Sequence, residues 1–311
     1  MKKNFPVRMS AYVGRFAPSP SGPLHFGSLV AALGSVLEAR RQHGAWLLRI
    51  EDVDTPRTVP GAADTILATL ERYGFEWDGE IMWQSRRRDA YDAALARLRV
   101  DGHVFPCICT RREMADSTLA RDGSRRYPGT CRAGLPPGST PRAWRVKAEG
   151  VIRFDDAIQG PQTEDLARDI GDYVVYRADG QFAYQLAVVV DDAAQGVTHV
   201  VRGADLLGST ARQIQLQQLL GLRAPIYAHL PVATNAAGEK LSKQTLTRAI
   251  DDDPPARTLT TALAFLGQKP PAALAGASRT EVWKWALAHW RLENVPQVRQ
   301  LAVSDSGWRA Q

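Results

Sequence analysis

Three groups of residues carry chemistry by type and spacing. The first runs Arg15-Phe16-Ala17-Pro18-Ser19-Pro20-Ser21-Gly22-Pro23-Leu24-His25-Phe26-Gly27-Ser28, a glycine-bearing turn that opens an apolar-periodic segment with Leu29, Leu33, Val36 and Leu37. A helix that starts this way presents free backbone N–H groups and the positive end of its dipole, which together suit a phosphate. The second is Glu239-Lys240-Leu241-Ser242-Lys243-Gln244, which follows Gly238. Two lysines three residues apart beside small residues suit a loop that closes on a triphosphate, each ammonium acting as a point charge. The third is Cys107-Ile108-Cys109, followed by Tyr127-Pro128-Gly129-Thr130-Cys131. Thiolates are preferred zinc ligands and a closed structural site needs four, so three cysteines leave one position to fill. His103, four residues before Cys107, is the generic choice for it. Each group also has a plain structural alternative: a tight βα turn capped by His25, a solvated run of charge, or three buried free thiols.

The surrounding pattern predicts the scaffold. Residues 10–16 read as a strand, residues 17–23 as a turn, the following apolar-periodic segment as a helix ending near Gly44, and residues 45–50 as a second strand. Strand, turn, helix and strand at this spacing form a βαβ unit, which implies parallel strands and a doubly wound, Rossmann-like α/β sheet with ligands at the strand C-termini. An amphipathic helix with Tyr91, Leu95 and Leu98 leads to the cysteines, and residues 111–141, rich in Arg, Gly and Pro, read as an irregular insertion. Residues 172–176 and 182–190 read as two strands around a tight turn, residues 198–202 as another strand, and residues 210–220 as a helix. Beyond Asp251, residues 259–266 and 281–290 have helical periodicity; Trp283 and Trp290, seven apart, fall on one face and read as core. The expected division is 1–105 and 143–250 as the halves of a catalytic domain, 106–142 as an inserted metal-binding subdomain, and 251–311 as a small helical part.

A chain of 311 residues with 44% hydrophobic and 23% charged residues can bury a full core and is not compositionally disordered. The basic N-terminus is followed by no apolar leader, and the apolar run 186–190 is far too short to span a bilayer, so a cytoplasmic protein without membrane contact is expected. Three clustered cysteines suit metal rather than a disulfide framework. The net charge of +6 favours polyanionic partners.

Taken in order, the His25 and Lys243 segments resemble the HIGH and KMSKS motifs of class I aminoacyl-tRNA synthetases. Ser28 stands where the second His of HIGH would be, and Gln244 where the last residue of KMSKS would be. Within that class, Gly14-Arg15 through Gly22, Arg49-Ile50-Glu51-Asp52, Val201-Arg202-Gly203-Ala204-Asp205 and Lys240-Leu241-Ser242-Lys243 resemble the glutamyl branch. The resemblance implies an ATP-dependent ligase that activates L-glutamate as its adenylate. Arg15, Phe16, Ala17, Pro18, Ser19, Glu51, Tyr184 and Arg202 would bind glutamate. His25, Gly27, Ser28, Lys240 and Lys243 would bind ATP with its Mg²⁺, and His25 and Lys243 would be the catalytic pair. Shortened members of the branch further imply Tyr127 as a phenolate ligand completing one structural Zn²⁺ site with Cys107, Cys109 and Cys131. They also imply a monomer whose acceptor is the queuosine base in the anticodon of tRNA(Asp), because the segment after Gln244 is too short for a helical anticodon-binding domain. Two competing readings are a fragment of a discriminating glutamyl-tRNA synthetase and an inactive zinc-containing RNA-binding module. Retention of His25 and Lys243 speaks against the second.

Overall fold

The computed structural model describes residues 12–303 except 55, 56, 111, 116, 122, 236, 242–248, 251 and 252. Its centre is a row of strands in two hydrogen-bonded sets. In the first, β1 (Val13–Phe16), β2 (Ala45–Ile50) and β3 (Met82–Trp83) are parallel, with Val13 opposite Ala45 and Ile50 opposite Trp83. The helix α1 (Phe26–Arg41) crosses from β1 to β2 as the spacing predicts. The second set has the order β7-β6-β10-β9, comprising β6 (Val151–Asp156), β7 (Gly160–Asp165), β9 (His199–Gly203) and β10 (Ile226–Leu230). There β10 lies parallel to both β6 and β9, while β7 pairs antiparallel with β6. The sets meet where the Val13 N–H donates to Thr198 Oγ1 (2.8 Å) and the Thr198 N–H donates to the Val13 carbonyl (2.9 Å). The sheet is therefore mixed, with a parallel centre.

Alternate residues along the central strands feed two cores. Trp46, Leu48, Val201 and Ala228 pack with α1 and with α2 (Ala62–Tyr73), α6 (Pro255–Phe265) and α7 (Arg279–His289) on one face. Val13, Val200 and Tyr227 pack on the other with α3 (Arg88–Val100), α4 (Tyr184–Ala194) and α5 (Leu207–Leu219). Sandwiched between sheet and C-terminal helices, α1 buries apolar side chains almost all round, as a helix covered on both sides must. Of the two expected core tryptophans, Trp290 is buried in this core with its indole N–H donating to Glu38 Oε2, while Trp283 is partly buried, packs against the core and donates to the Tyr73 carbonyl.

A third, smaller cluster of Phe105, Cys107, Met114, Tyr127, Cys131 and Ala143 sits beside the antiparallel strands β4 (Val104–Cys107), β5 (Ala143–Val146) and β8 (Tyr173–Tyr176). Between β4 and β5 the chain is mostly turns, as its composition predicts. The short strands β11 (Val232–Thr234) and β12 (Gln300–Ala302) pair in parallel. Among the described residues no helix is long and apolar enough to cross a membrane.

One expected element is corrected. Residues 182–190 are not a strand: after a turn closed by the Arg177 N–H on the Gln181 carbonyl, only Phe182 bridges back to Tyr176, and the chain enters α4 at Tyr184. The run Leu186 to Val190 is apolar at every position, a pattern that suits a buried helix as well as a buried strand. Tyr184 is therefore the first residue of a helix rather than a cross-strand aromatic.

Candidate active site and cysteine cluster

The turn after β1 delivers the first motif to the N-terminus of α1. His25 caps that helix, its Nδ1 accepting the Ser28 N–H at 3.3 Å. Gly27 is closely packed: a Cβ there would lie 3.2 Å from the His25 ring, a tight approach, and 3.6 Å from the Leu241 carbonyl, an ordinary contact. That contact brings the second motif against the first across more than two hundred residues of sequence. The Ile250 N–H donates to the Leu24 carbonyl (3.2 Å), fixing the far side of the same segment. Ser242, Lys243 and Gln244 lie outside the described residues. Lys240 is described, and its ammonium pairs with Asp205 Oδ2 at 2.6 Å.

The residues expected to hold glutamate gather near the C-terminal ends of β1, β2 and β9 and the start of α4, with very different charge balances. Arg15 forms a buried ion pair with Asp192 of α4 (3.2 Å), and Arg49 reaches the same carboxylate at 2.8 Å. Burial would raise the Asp192 carboxyl, but the two guanidinium groups outweigh it and hold the group below its ordinary value. Among the described residues Glu51 makes its ion pair in this network with Arg49, at 3.4 Å. Burial pushes its carboxyl up, against the pull of Arg49 and Arg15, so an arriving cation would find it incompletely compensated. The backbone of the first motif belongs to the same wall, since the Glu51 N–H donates to the Pro18 carbonyl.

Arg202 differs. It is buried, yet among the described residues no carboxylate lies within 4.0 Å of it. Its Nη1 donates to Tyr184 Oη (3.3 Å), Nη2 to Thr210 Oγ1 (2.9 Å) and Nε to His229 Nε2 (3.0 Å). Burial raises the Tyr184 phenol, against the pull of Arg202 and a hydrogen bond with Gln213, so it stays protonated. The arrangement thus holds a desolvated cation, a phenol and a carboxylate with spare capacity in one place, which fits an amino acid bearing both ammonium and carboxylate groups.

The cysteines also converge. The Sγ atoms of Cys107, Cys109 and Cys131 lie within 4.8 Å of one another and could hold a metal ion. Tyr127 Oη lies 3.6 Å from Cys107 Sγ and 3.5 Å from Cys109 Sγ and accepts the Cys131 N–H at 2.8 Å. His103 is not in the group. Arg145 stands behind it, its Nε–H donating to Cys107 Sγ (3.3 Å) and its guanidinium 4.1 Å from the centre of the Tyr127 ring. Burial pushes the Cys109 thiol up to about 11, whereas at Cys131 bonds from Tyr127, the Ile108 backbone and the neighbouring thiols outweigh burial and hold the thiol below its ordinary value.

Sequence reasoning missed Asp192, Thr210, His229 and Asp156. An Asp191-Asp192 pair closing a wholly apolar run was a usable signal for the first, because buried acids seldom occur without partners. The other three are common residue types at unremarkable positions and become visible only in space.

Residues 12–287 match the family described as "tRNA synthetases class I (E and Q), catalytic domain". The chain is 71% identical over 296 residues to a glutamyl-Q tRNA(Asp) synthetase of Aromatoleum aromaticum, covering 95% of this chain and 93% of that one. It is 59% identical over 291 residues to one of Dechloromonas aromatica, with 93% and 97% covered. Among solved structures, the glutamate-tRNA synthetase of Elizabethkingia anophelis superposes with a TM-score of 0.78 at 27% identity, covering 95% of this chain and 68% of that one. The chain therefore belongs to the class I tRNA synthetases of the E and Q kind, in the family of the glutamyl-Q tRNA(Asp) synthetases.

Proposed function

We propose that this chain, an ATP-dependent ligase by its family, activates L-glutamate as the adenylate without RNA and then transfers it to the queuosine base in the anticodon of tRNA(Asp). The observation that carries the first step is the buried guanidinium of Arg202, which lacks a carboxylate partner among the described residues and faces Tyr184. In that step a glutamate α-carboxylate oxygen bonds to the α-phosphorus of ATP and pyrophosphate leaves. The carboxylate is already ionised near neutrality, so no general base is needed; the obstacles are mutual repulsion and alignment. His25, the N–H groups at Gly27 and Ser28, Lys243 and the Mg²⁺ that travels with ATP supply positive charge for the in-line transition state, and Lys240 belongs to the ATP-binding loop. Arg15 through Ser19, Glu51, Tyr184 and Arg202 supply the glutamate contacts. In the second step a nucleophilic group of the queuosine base attacks the adenylate carbonyl and AMP leaves. This acceptor rests on the names of the close relatives and on the basic charge of the chain.

The test incubates the protein with labelled glutamate, ATP and one RNA at a time. Label should appear on tRNA(Asp) only when queuosine is present and should fall steeply as salt rises, because phosphate contacts release counterions. Efficient charging of tRNA(Glu), or equal labelling of tRNA(Asp) that lacks queuosine, would assign a different acceptor.

The cysteine cluster is proposed as one structural zinc site of Cys107, Cys109, Cys131 and Tyr127, within an inserted segment 106–142 that separates 1–105 from 143–250 and the helical 251–311. Zn–S bonds of about 2.3 Å and a Zn–O bond of about 2.0 Å give tetrahedral edges of about 3.5 to 3.8 Å. The edges from Tyr127 Oη to Cys107 and Cys109, and from Cys109 to Cys131, are 3.5 to 3.6 Å. Elemental analysis should find one zinc per chain. In competition with a chelator, Tyr127→Phe should lower zinc affinity at least about tenfold, the scale of losing a supporting or weak ligand. His103→Ala should leave it unchanged; the reverse pattern would make His103 the fourth ligand.

A further inference from the structure

Three neighbouring parallel strands each contribute one polar residue near their C-terminal ends, and these residues form a chain across the sheet. Arg202 on β9 is the register partner of His229 on β10, and Asp156 ends β6 on the other side of β10. His229 and Asp156 side chains are fully buried. The Arg202 Nε–H can only donate, so His229 Nε2, 3.0 Å away, must accept; the ring proton then sits on Nδ1 and is donated to Asp156 Oδ2 at 2.5 Å. Asp156 is itself fixed, Oδ1 accepting the backbone N–H groups of Ile158 (3.1 Å), Gln159 (2.8 Å) and His229 (3.1 Å).

We propose that Asp156 and His229 are positioning residues for glutamate recognition: they hold the Arg202 guanidinium from behind by a tautomer-locked chain while leaving its positive charge available to the substrate. The inference rests on the reading that Arg202 grips a glutamate carboxylate. Its physical core is the neutral ring placed between anion and cation. A carboxylate bonded directly to Arg202 would orient it equally well but would cancel its charge, as Asp192 does in part for the Arg15 and Arg49 pair that shares it. An imidazole relays the orientation without that cancellation. Burial keeps His229 neutral, lowering it to about 4 against the opposing pull of Asp156, so the accepting nitrogen is retained near neutrality. With Nε on His229, Nη2 on Thr210 and the Leu206 carbonyl, and one Nη1 hydrogen on Tyr184, the described partners take four of the five N–H donors. The fifth, on Nη1, has no partner among the described residues and is left for an anion.

Asp156→Asn tests the chain with a change of one atom. If the new amide N–H₂ faces His229, the ring proton moves to Nε2 and opposes the Arg202 Nε–H; if it faces the other way, it opposes three backbone N–H groups. The logic is that of an aspartate-to-asparagine exchange behind a catalytic histidine, which leaves the geometry but selects the wrong tautomer. In glutamate-dependent ATP–pyrophosphate exchange, Asp156→Asn and His229→Leu should each raise the glutamate KM about tenfold to a hundredfold with the ATP KM unchanged. His229→Gln, which restores an acceptor toward Arg202, should recover much of the loss. A merely structural role would lower the active fraction and leave both KM values where they were. An unchanged glutamate KM in Asp156→Asn, while Arg202→Ala raises it, would overturn the relay alone; an unchanged KM in Arg202→Ala would instead overturn the reading of Arg202 and the relay with it.

Discussion

Arg202→Ala should raise the glutamate concentration needed for half-maximal ATP–pyrophosphate exchange by about thirtyfold to several thousandfold while leaving the ATP requirement nearly constant. Removing one member of a buried, hydrogen-bonded charge pair costs about 2 to 5 kcal/mol, and each 1.4 kcal/mol is a factor of ten. The cost falls on the bound state if Arg202 grips glutamate as proposed, because it has no carboxylate within 4.0 Å among the described residues. Arg15→Ala should differ in kind. Its loss leaves Asp192 still paired with Arg49 at 2.8 Å, and part of the effect should appear as lower thermal stability. Titrating exchange rate against glutamate at saturating ATP separates the two, and an Arg202→Ala enzyme with the parental glutamate KM would remove this residue from the substrate site.

Lys243→Ala should act on rate instead. Exchange at saturating glutamate and ATP is expected to fall by roughly two to four powers of ten, the scale of losing a preorganised charge aimed at a developing anion. The expectation comes from the second motif, since Lys243 itself lies outside the described residues. The structure adds a control: Lys240, three residues earlier, pairs with Asp205, so Lys240→Ala should disturb that contact and reduce the rate less. Equal losses in the two variants, or an unaltered rate in Lys243→Ala, would contradict the role given to Lys243.

Local signals made much of this molecule readable in advance. The βαβ unit from β1 to β2, the helices α3, α5, α6 and α7, and the irregular cysteine segment follow from periodicity and turn residues within short windows. The thiols were visible because Cys107, Cys109 and Cys131 are rare residues close in sequence. What failed locally was α4, where an unbroken apolar run has no period to read. What could not be read was which residues pair to support the site. Asp192 meets Arg15 over 177 positions, and His229 meets Asp156 over 73; such partners are chosen by strand order and register, which no window of sequence contains.

The pairing of β9 with β10 sets Arg202 opposite His229, and α5 lies between the two strands in the chain. A slip of one residue in that pairing would turn one of the two side chains to the opposite face of the sheet. The guanidinium's support is therefore expected to form after the local helices, since it awaits a non-local parallel pairing that they do not need. If glutamate binds at Arg202 as proposed, it stabilises only the correctly registered sheet, so in a refolding time course recovered glutamate binding should lag the return of helical signal.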